Sequence, residues 1–288
     1  MIPVHAKKRL GQHFLNDENI AMKITESISL PCGNLLEVGP GTGVLTKYLL
    51  ERLSALSSQL SVGNLESEIR NPKSGIQNQE SGIRNPELSR FLALDVDRES
   101  IAYLKEMYPE HAGLFIEADF LKIKPEEYFE GCFSIIGNFP YNISSQIFFK
   151  ILDHVDQVPE VVCMLQKEVA ERIASPPGNK AYGILSVLLQ AWYKIEYLFT
   201  VSEHVFIPPP KVKSAVIRLT RNETTDLGCD PKLFKHIIKT AFNQRRKTLR
   251  NGLKSITFNQ SPELEFLMTK RAEQLGVKEF VYLTTQAK

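Results

Sequence analysis

The sequence predicts an α/β fold: a Rossmann-like, mostly parallel, seven-stranded sheet with a small all-α domain at its C-terminal end. Three observations carry this expectation. Short apolar runs bounded by turn residues alternate with amphipathic helical stretches through the first 220 of 288 residues. Such alternation places parallel strands side by side with helices on both faces. A glycine-rich turn, Gly39-Pro40-Gly41-Thr42-Gly43, follows the first run, and after Leu219 the pattern becomes wholly helical.

Leu35–Val38 is the first strand, closed by the glycine turn. Phe91–Val96, Leu114–Ala118, Ser134–Gly137 and Val161–Leu165 follow as further short apolar runs. Lys194–Thr200 and Val212–Leu219 have no helix of useful length between them, so they are expected to pair antiparallel at one edge. Helical spacing of apolar residues recurs over Asn19–Ser29, Val44–Leu53, Arg98–Tyr108, Ser144–Leu152, Lys167–Ala174 and Gly183–Trp192. The expected organisation is a large domain over 1–220 and a helical one over 221–288. Residues 54–90 interrupt the pattern. A seven-residue unit repeats there as SEIRNPK, SGIQNQE and SGIRNPE over 67–87. Ile69, Ile76 and Ile83 are its only apolar residues, and each copy holds Pro or Gly, which excludes a coiled-coil seam. The segment reads as an inserted, flexible polar loop.

Hydrophobic residues are 43% and charged residues 24% of the chain, the balance of a soluble globular protein. No apolar run approaches the roughly 20 residues of a membrane span. The basic residues near the start are not followed by the apolar stretch of a secretory signal. Cys32, Cys132, Cys163 and Cys229 form no C-x-x-C pair, so neither a zinc site nor a disulfide framework is expected and a reducing cytoplasm fits. His5, His111, His154, His204 and His236 show no ligand spacing, and no metal is expected. The formal charge of +2 argues at first against a nucleic-acid partner, but it is unevenly spread. Residues 1–16 hold Lys7, Lys8 and Arg9 with no acid; residues 239–254 hold Lys239, Arg245, Arg246, Lys247, Arg250 and Lys254, again with no acid. Ala241, Phe242, Leu249 and Leu253 interleave the second run, so one face can dock while the cations reach phosphate. A solvated helix face is the plainer reading of such a run.

Ligands of open α/β sheets lie beyond the carboxyl ends of the strands. The first strand ends in a G-x-G-x-G turn, with Val44 where a dinucleotide fingerprint has its last glycine. Pro40 removes a loop N–H as well, so close backbone approach is indicated but a pyrophosphate is not. The second strand ends at Asp95. An acid about 20 positions beyond such glycines holds ribose hydroxyls, and Asp95 falls at 19 from Gly39 once 54–90 are set aside. The third ends at Asp119, which either accepts from an exocyclic amine or caps a turn. Together these describe an adenosine ligand without a required pyrophosphate, and S-adenosylmethionine fits better than NAD.

The fourth strand ends in Asn138-Phe139-Pro140-Tyr141. An aromatic amine is a weak nucleophile because its lone pair is delocalised. The Asn138 side-chain oxygen and the carbonyl before Pro140 can accept its N–H groups and favour the tetrahedral nitrogen that forms as a methyl transfers. Pro140 stiffens the turn, and Tyr141 offers a face to a flipped base. A plain Asn-Pro turn is the alternative.

Seven ordered segments resemble the KsgA-type small-subunit (16S) rRNA adenine N6,N6-dimethyltransferases over nearly the whole chain outside 54–90. They are KKRLGQHFLND (7–17), LEVGPGTGVLT (36–46), NFPYNIS (138–144), MLQKEVAERI (164–173), NKAYGILSV (179–187), FIPPPKVKSAVIRL (206–219) and FNQRRKTLRN (242–251). The resemblance implies a methyltransferase domain with a helical RNA-docking domain. It implies that His13 and Leu15 close over S-adenosylmethionine, Gly39 lines it, Asp95 holds its ribose, Asp119 reads its adenine, and Asn138 borders both cofactor and target base. Tyr141 and Phe206 would sandwich the target adenine, although Phe206 reads equally as a core aromatic. Lys7, Lys8, Arg9, Arg245, Arg246 and Lys247 would meet RNA. The implied substrate is two adjacent adenines near the 3′ end of small-subunit rRNA, each dimethylated, within an immature 30S particle; the enzyme would act as a monomer. Phe139 stands where relatives often have Leu, and Asp95 where many have Glu. Two rivals remain: a large-subunit rRNA adenine methyltransferase of the erythromycin-resistance type, and a non-catalytic RNA-binding assembly factor on the same scaffold.

Overall fold

The computed structural model describes residues 4–52 and 90–288. The expected loop at 54–90 therefore lies outside the described residues except for Arg90. In chain order the strands are β1 (Phe14–Leu15), β2 (Asn34–Val38), β3 (Arg90–Asp95), β4 (Phe115–Glu117), β5 (Ser134–Asn138), β6 (Glu160–Gln166), β7 (Tyr193–Val201), β8 (Phe206–Ile207) and β9 (Ser214–Arg221). Seven of them form one sheet in the order β4-β3-β2-β5-β6-β9-β7. The first five in that order run parallel, and β9 pairs antiparallel with both β6 and β7. The last pair lies at the sheet edge, as the missing crossover helix predicts. The strand order reverses between β2 and β5, the switch point where open α/β sheets bind ligands.

Helices α1 (Glu18–Glu26), α2 (44–52), α3 (Arg98–Met107), α4 (Ser144–Asp153), α5 (Lys167–Ala174) and α6 (Ile184–Gln190) cover the sheet. Successive strand side chains point to opposite faces. Leu35 thus packs with Ile24, Leu49 and Leu104 on one face, while Leu36 packs with Phe148, Ile151 and Ile173 on the other. Asp97 begins α3 by accepting the Glu99 N–H at 3.1 Å, and Asp17 begins α1 in the same way through Ile20. The expected strand start at Val212 moves to Ser214, because Val212 lies in an exposed turn.

Helices α7 (Pro231–Asn243), α8 (Leu249–Gly252), α9 (Pro262–Met268) and α10 (Val277–Gln286) share a third buried cluster. Val187, Leu188 and Ala191 from α6 and its end join that cluster, while Leu185 and Leu189 belong to the sheet core. One short helix therefore serves both cores. Among the described residues no helix is long and apolar enough to cross a membrane, and no group of His, Cys, Asp and Glu side chains gathers to hold a metal.

Candidate active site

The carboxyl ends of β2, β3, β4 and β5 open onto a cavity of about 590 Å³. Gly39, Asp95, Asp119, Asn138, Pro140 and Tyr141 line it, with His13 and Leu15 on the N-terminal segment. The glycine turn has to be small and left-handed. Gly41 has φ of 56°, and a Cβ there would stand 2.9 Å from the Phe14 ring.

Two buried carboxyls lie at the ends of β2 and β3. Asp95 is 8% exposed and accepts the N–H groups of Asp97 at 2.8 Å and Gly41 at 3.3 Å. Burial pushes it up to about 6 against those hydrogen bonds. Glu37 is 1% exposed; burial pushes it up to about 8 although the Thr46 hydroxyl donates to it at 2.7 Å. Near neutral pH the site thus holds one ionised and one largely protonated carboxyl. Asp119 accepts the Leu121 N–H at 3.0 Å and pairs with Lys122 at 3.3 Å, so it is a turn cap and a cavity wall at once.

Asn138 is the last residue of β5. A Cβ on the preceding Gly137 would stand 2.3 Å from the Val38 carbonyl oxygen, so only glycine lets β5 lie this close to the end of β2. The Asn138 side-chain nitrogen donates to the His13 carbonyl at 3.0 Å. Tyr141 hydrogen-bonds the Ser214 hydroxyl, and burial pushes its phenol up against that bond. Phe139 is fully buried, its ring edge-on to Phe148 at 5.8 Å.

The N-terminal segment crosses the cavity mouth. Phe14 and Leu15 pair antiparallel with Ile207 and Phe206, and the Asn16 N–H donates to Val205 at 2.8 Å. Lys7 Nζ lies 2.6 Å from Asp97 and 3.0 Å from Glu99; Gln12 donates to the other Asp97 oxygen at 3.0 Å. Burial would raise the Asp97 carboxyl, but Lys7 and Gln12 together hold it below its usual value. The His13 ring stacks on Tyr141 with centroids 5.5 Å apart and planes at 29°, and His13 Nδ1 lies 2.8 Å from the Pro208 carbonyl.

Three expected site residues sit differently. Phe206, expected against the target base, is 2% exposed and belongs to the core cluster of Leu15, Val201 and Val216. The alternation of β8 sends Phe206 inward and leaves Ile207 59% exposed. Lys7, expected on RNA, is committed to Asp97 and Glu99, while Lys8 and Arg9 remain exposed. Arg245 is held by Glu273 at 3.5 Å and by the Lys180 carbonyl, so it joins the helical part to the loop before α6. Arg246 and Lys247 are exposed, and Lys247 joins Lys254, Asn243 and Asn251 around a polar depression of about 670 Å³. Sequence reasoning assigned no role to Gln12, Asp97 or Ser214. Asp97 carries a legible helix-cap signal, but its pairing with Lys7 spans 90 positions.

A family model described as ribosomal RNA adenine dimethylase matches residues 4–68 and 87–284. It passes over 69–86, which hold most of the seven-residue repeat. The chain is 51% identical over 286 residues to the ribosomal RNA small subunit methyltransferase A of Bacteroides fragilis, covering 98% of this chain and 92% of the relative. It is 50% identical over 287 residues to the protein of the same name from Cytophaga hutchinsonii, covering 99% and 98%. Among solved structures, a dimethyladenosine transferase from Plasmodium falciparum superposes with a TM-score of 0.69 at 21% identity, covering 96% of this chain and 99% of that one. The 23S rRNA methyltransferase ErmE superposes with a TM-score of 0.63 at 20% identity, covering 95% and 100%. At those identities the two structures speak for the fold alone.

Proposed function

Because the chain belongs to the ribosomal RNA adenine dimethylase family, we propose that it is the S-adenosylmethionine-dependent enzyme that dimethylates N6 of two adjacent adenines near the 3′ end of small-subunit rRNA. The observation that carries this reading is the Asn138-Phe139-Pro140-Tyr141 turn opening onto the same cavity as Gly39, Asp95 and Asp119. The names of the roughly half-identical relatives favour the small subunit over the large one. The immature 30S particle as the form recognised, action as a monomer and a cytoplasmic setting belong to the same proposal.

The residues present fit the cofactor. The cavity is wide enough for an adenosine conjugate, its turn presents side-chain-free backbone at Gly39 and at the crowded Gly41, and Asp95 is a buried acceptor beside that turn. Asp95 would take the ribose hydroxyls, Asp119 the adenine amine, and Gly39, His13 and Leu15 the remainder. S-adenosylmethionine supplies an electrophilic methyl on a sulfonium sulfur.

The chain's own part is positioning and desolvation. The Asn138 nitrogen is engaged by His13, which leaves its oxygen to accept an N–H of the target amine and hold the nitrogen lone pair toward the cofactor. Tyr141 supports the base from one side, its ring held by the Ser214 hydroxyl. No strong base is required, because the amine becomes acidic once it is methylated. The exposed Arg246, Lys247 and Lys254 of the helical part, with the exposed Lys8 and Arg9 of the N-terminal segment, supply phosphate contacts.

Labelled S-adenosylmethionine offered with purified, unmodified small or large ribosomal subunits tests the reading. Label in small-subunit RNA is expected. Label in large-subunit RNA favours the erythromycin-resistance type, and cofactor binding without transfer to either favours a non-catalytic assembly factor.

A further inference from the structure

We propose that Cys32 and Cys132 form a redox-responsive pair, which a small-molecule disulfide oxidises to an intramolecular disulfide across the amino ends of β2 and β5. The inference is independent of the methyl-transfer reading, because the cavity lies at the other ends of these strands. The two cysteines are roughly 100 positions apart, and no spacing motif links them. The sheet brings them together. β2 and β5 run parallel with Leu35 opposite Ser134, so the residues leading into the two strands stand side by side. Neighbouring strands are about 4.8 Å apart, inside the roughly 4.4–6.8 Å between α-carbons that a disulfide spans. The side chains turn toward each other, with the Cys32 thiol within hydrogen-bonding reach of the Cys132 thiol. Asn34 fixes the second cysteine: its side-chain nitrogen donates to the Cys132 carbonyl at 2.8 Å and to the Glu130 carbonyl at 3.3 Å. Both cysteines are half-buried, so a small oxidant can reach them, whereas Cys163 is fully buried and Cys229 packs against the helical core.

The surroundings set the order of the steps. Burial pushes the Cys32 thiol up to about 12, and the neighbouring Cys132 adds to the rise. Cys32 therefore stays protonated at neutral pH, and Cys132 is the sulfur that reacts first. Its thiolate attacks one sulfur of the oxidant, the oxidant's S–S bond breaks, one small thiol leaves and a mixed disulfide remains. Cys132 is then uncharged and no longer opposes ionisation of Cys32. The Asn34 N–H and the Ser134 hydroxyl stand beside Cys32 to donate to its thiolate. That hydroxyl is buried and has no other partner among the described residues. Cys32 attacks the Cys132 sulfur, the mixed disulfide breaks and the second small thiol leaves. The two cysteine protons end on the two small thiols, and two electrons pass from the pair to the oxidant. Exchange with excess small thiol runs the same steps backwards, so the bond is transient wherever thiols are kept reduced. While present, it closes a ring of roughly 100 residues and restricts the unfolded chain.

The test exposes the reduced full chain to oxidised glutathione at neutral pH. Peptides from a digest without reductant are identified by mass spectrometry, and melting temperature is read on the same samples. One Cys32–Cys132 link within the chain is expected, reversed by dithiothreitol, with the melting temperature raised by about 4–10 °C. Cys32→Ser and Cys132→Ser are expected to lose both the link and the rise. Cys32→Ser should instead retain glutathione on Cys132, and Cys132→Ser should take up much less on Cys32. Free thiols, glutathione held stably on Cys132 of the wild type, or links only between chains overturn the proposal. So does an internal link that lowers the melting temperature, because the bond would then exist only in a distorted sheet.

Discussion

Asp95 and Glu37 are neighbouring buried carboxyls with different charge at neutral pH, and this difference has a measurable consequence. Ionised Asp95 is an acceptor for ribose hydroxyls, and its carboxyl titrates at about 6. Affinity for S-adenosylhomocysteine is expected to rise as pH climbs through that value, by up to about tenfold per pH unit below it. Calorimetric titration between pH 5 and 7 checks this, and Asp95→Asn should bind weakly with a flat profile. The sign for folding stability without ligand is opposite. A carboxyl raised on folding favours the folded state below its unfolded value and loses that contribution as pH rises through about 6. Asn138→Ala removes the acceptor for the target amine, so kcat should fall by roughly 10²–10³-fold, the usual effect of deleting one preorganised hydrogen-bonding group. Cofactor affinity, measured in the same variant, should change far less. Gly39, Asp95, Asp119 and Asn138 are legible in the sequence because each closes an apolar run at a strand end. Phe206 is not, because its burial depends on a ladder whose other strand lies about 190 positions earlier. The pairings of Lys7 and Arg245 are hidden for a related reason: counting charges does not reveal which acid folds back beside each one.

At the scale of elements, the seven sheet strands and the helices between them follow from apolar runs and turn residues, with shifts of one or two residues at most ends. The β1–β8 pair carries too few residues to leave a pattern, although it shapes the cavity mouth. Gly137 joins local sequence to site geometry. Gly137→Ala forces a methyl against the Val38 carbonyl, and urea unfolding should show a loss of about 1–3 kcal/mol. The turn between α7 and α8 combines two roles in adjacent residues. Replacing Arg246, Lys247 and Lys254 by Ala should weaken RNA binding and flatten its salt dependence. The slope should fall by roughly 0.7–0.9 for each phosphate no longer neutralised. Arg245→Ala should leave that slope largely unchanged and lower thermal stability instead, since its partners are Glu273 and Lys180.

At the scale of the molecule, α6 contributes to both the sheet core and the helical core. The boundary near residue 220 therefore separates two folding patterns that share a helix, and β9 carries the sheet through Arg221. We propose the helical part as the RNA-docking unit and the sheet part as the methyltransferase. Residues 69–86 are passed over by the family match and hold most of the repeat. Deleting them should leave folding and methyl transfer largely intact, because the family match runs on both sides of them without them; melting temperature and transfer rate check this. The near-neutral net charge conceals a nucleic-acid partner because two basic segments offset an acidic remainder. Primer-extension mapping of RNA from unmodified small subunits treated with the protein and S-adenosylmethionine tests the assignment of the Asn138 turn to adenine N6 in small-subunit rRNA. Two adjacent dimethyladenine stops near the 3′ end, formed roughly 10²–10³-fold more slowly by Asn138→Ala, are the expected result; stops elsewhere, or stops formed by Asn138→Ala at the wild-type rate, would overturn that assignment.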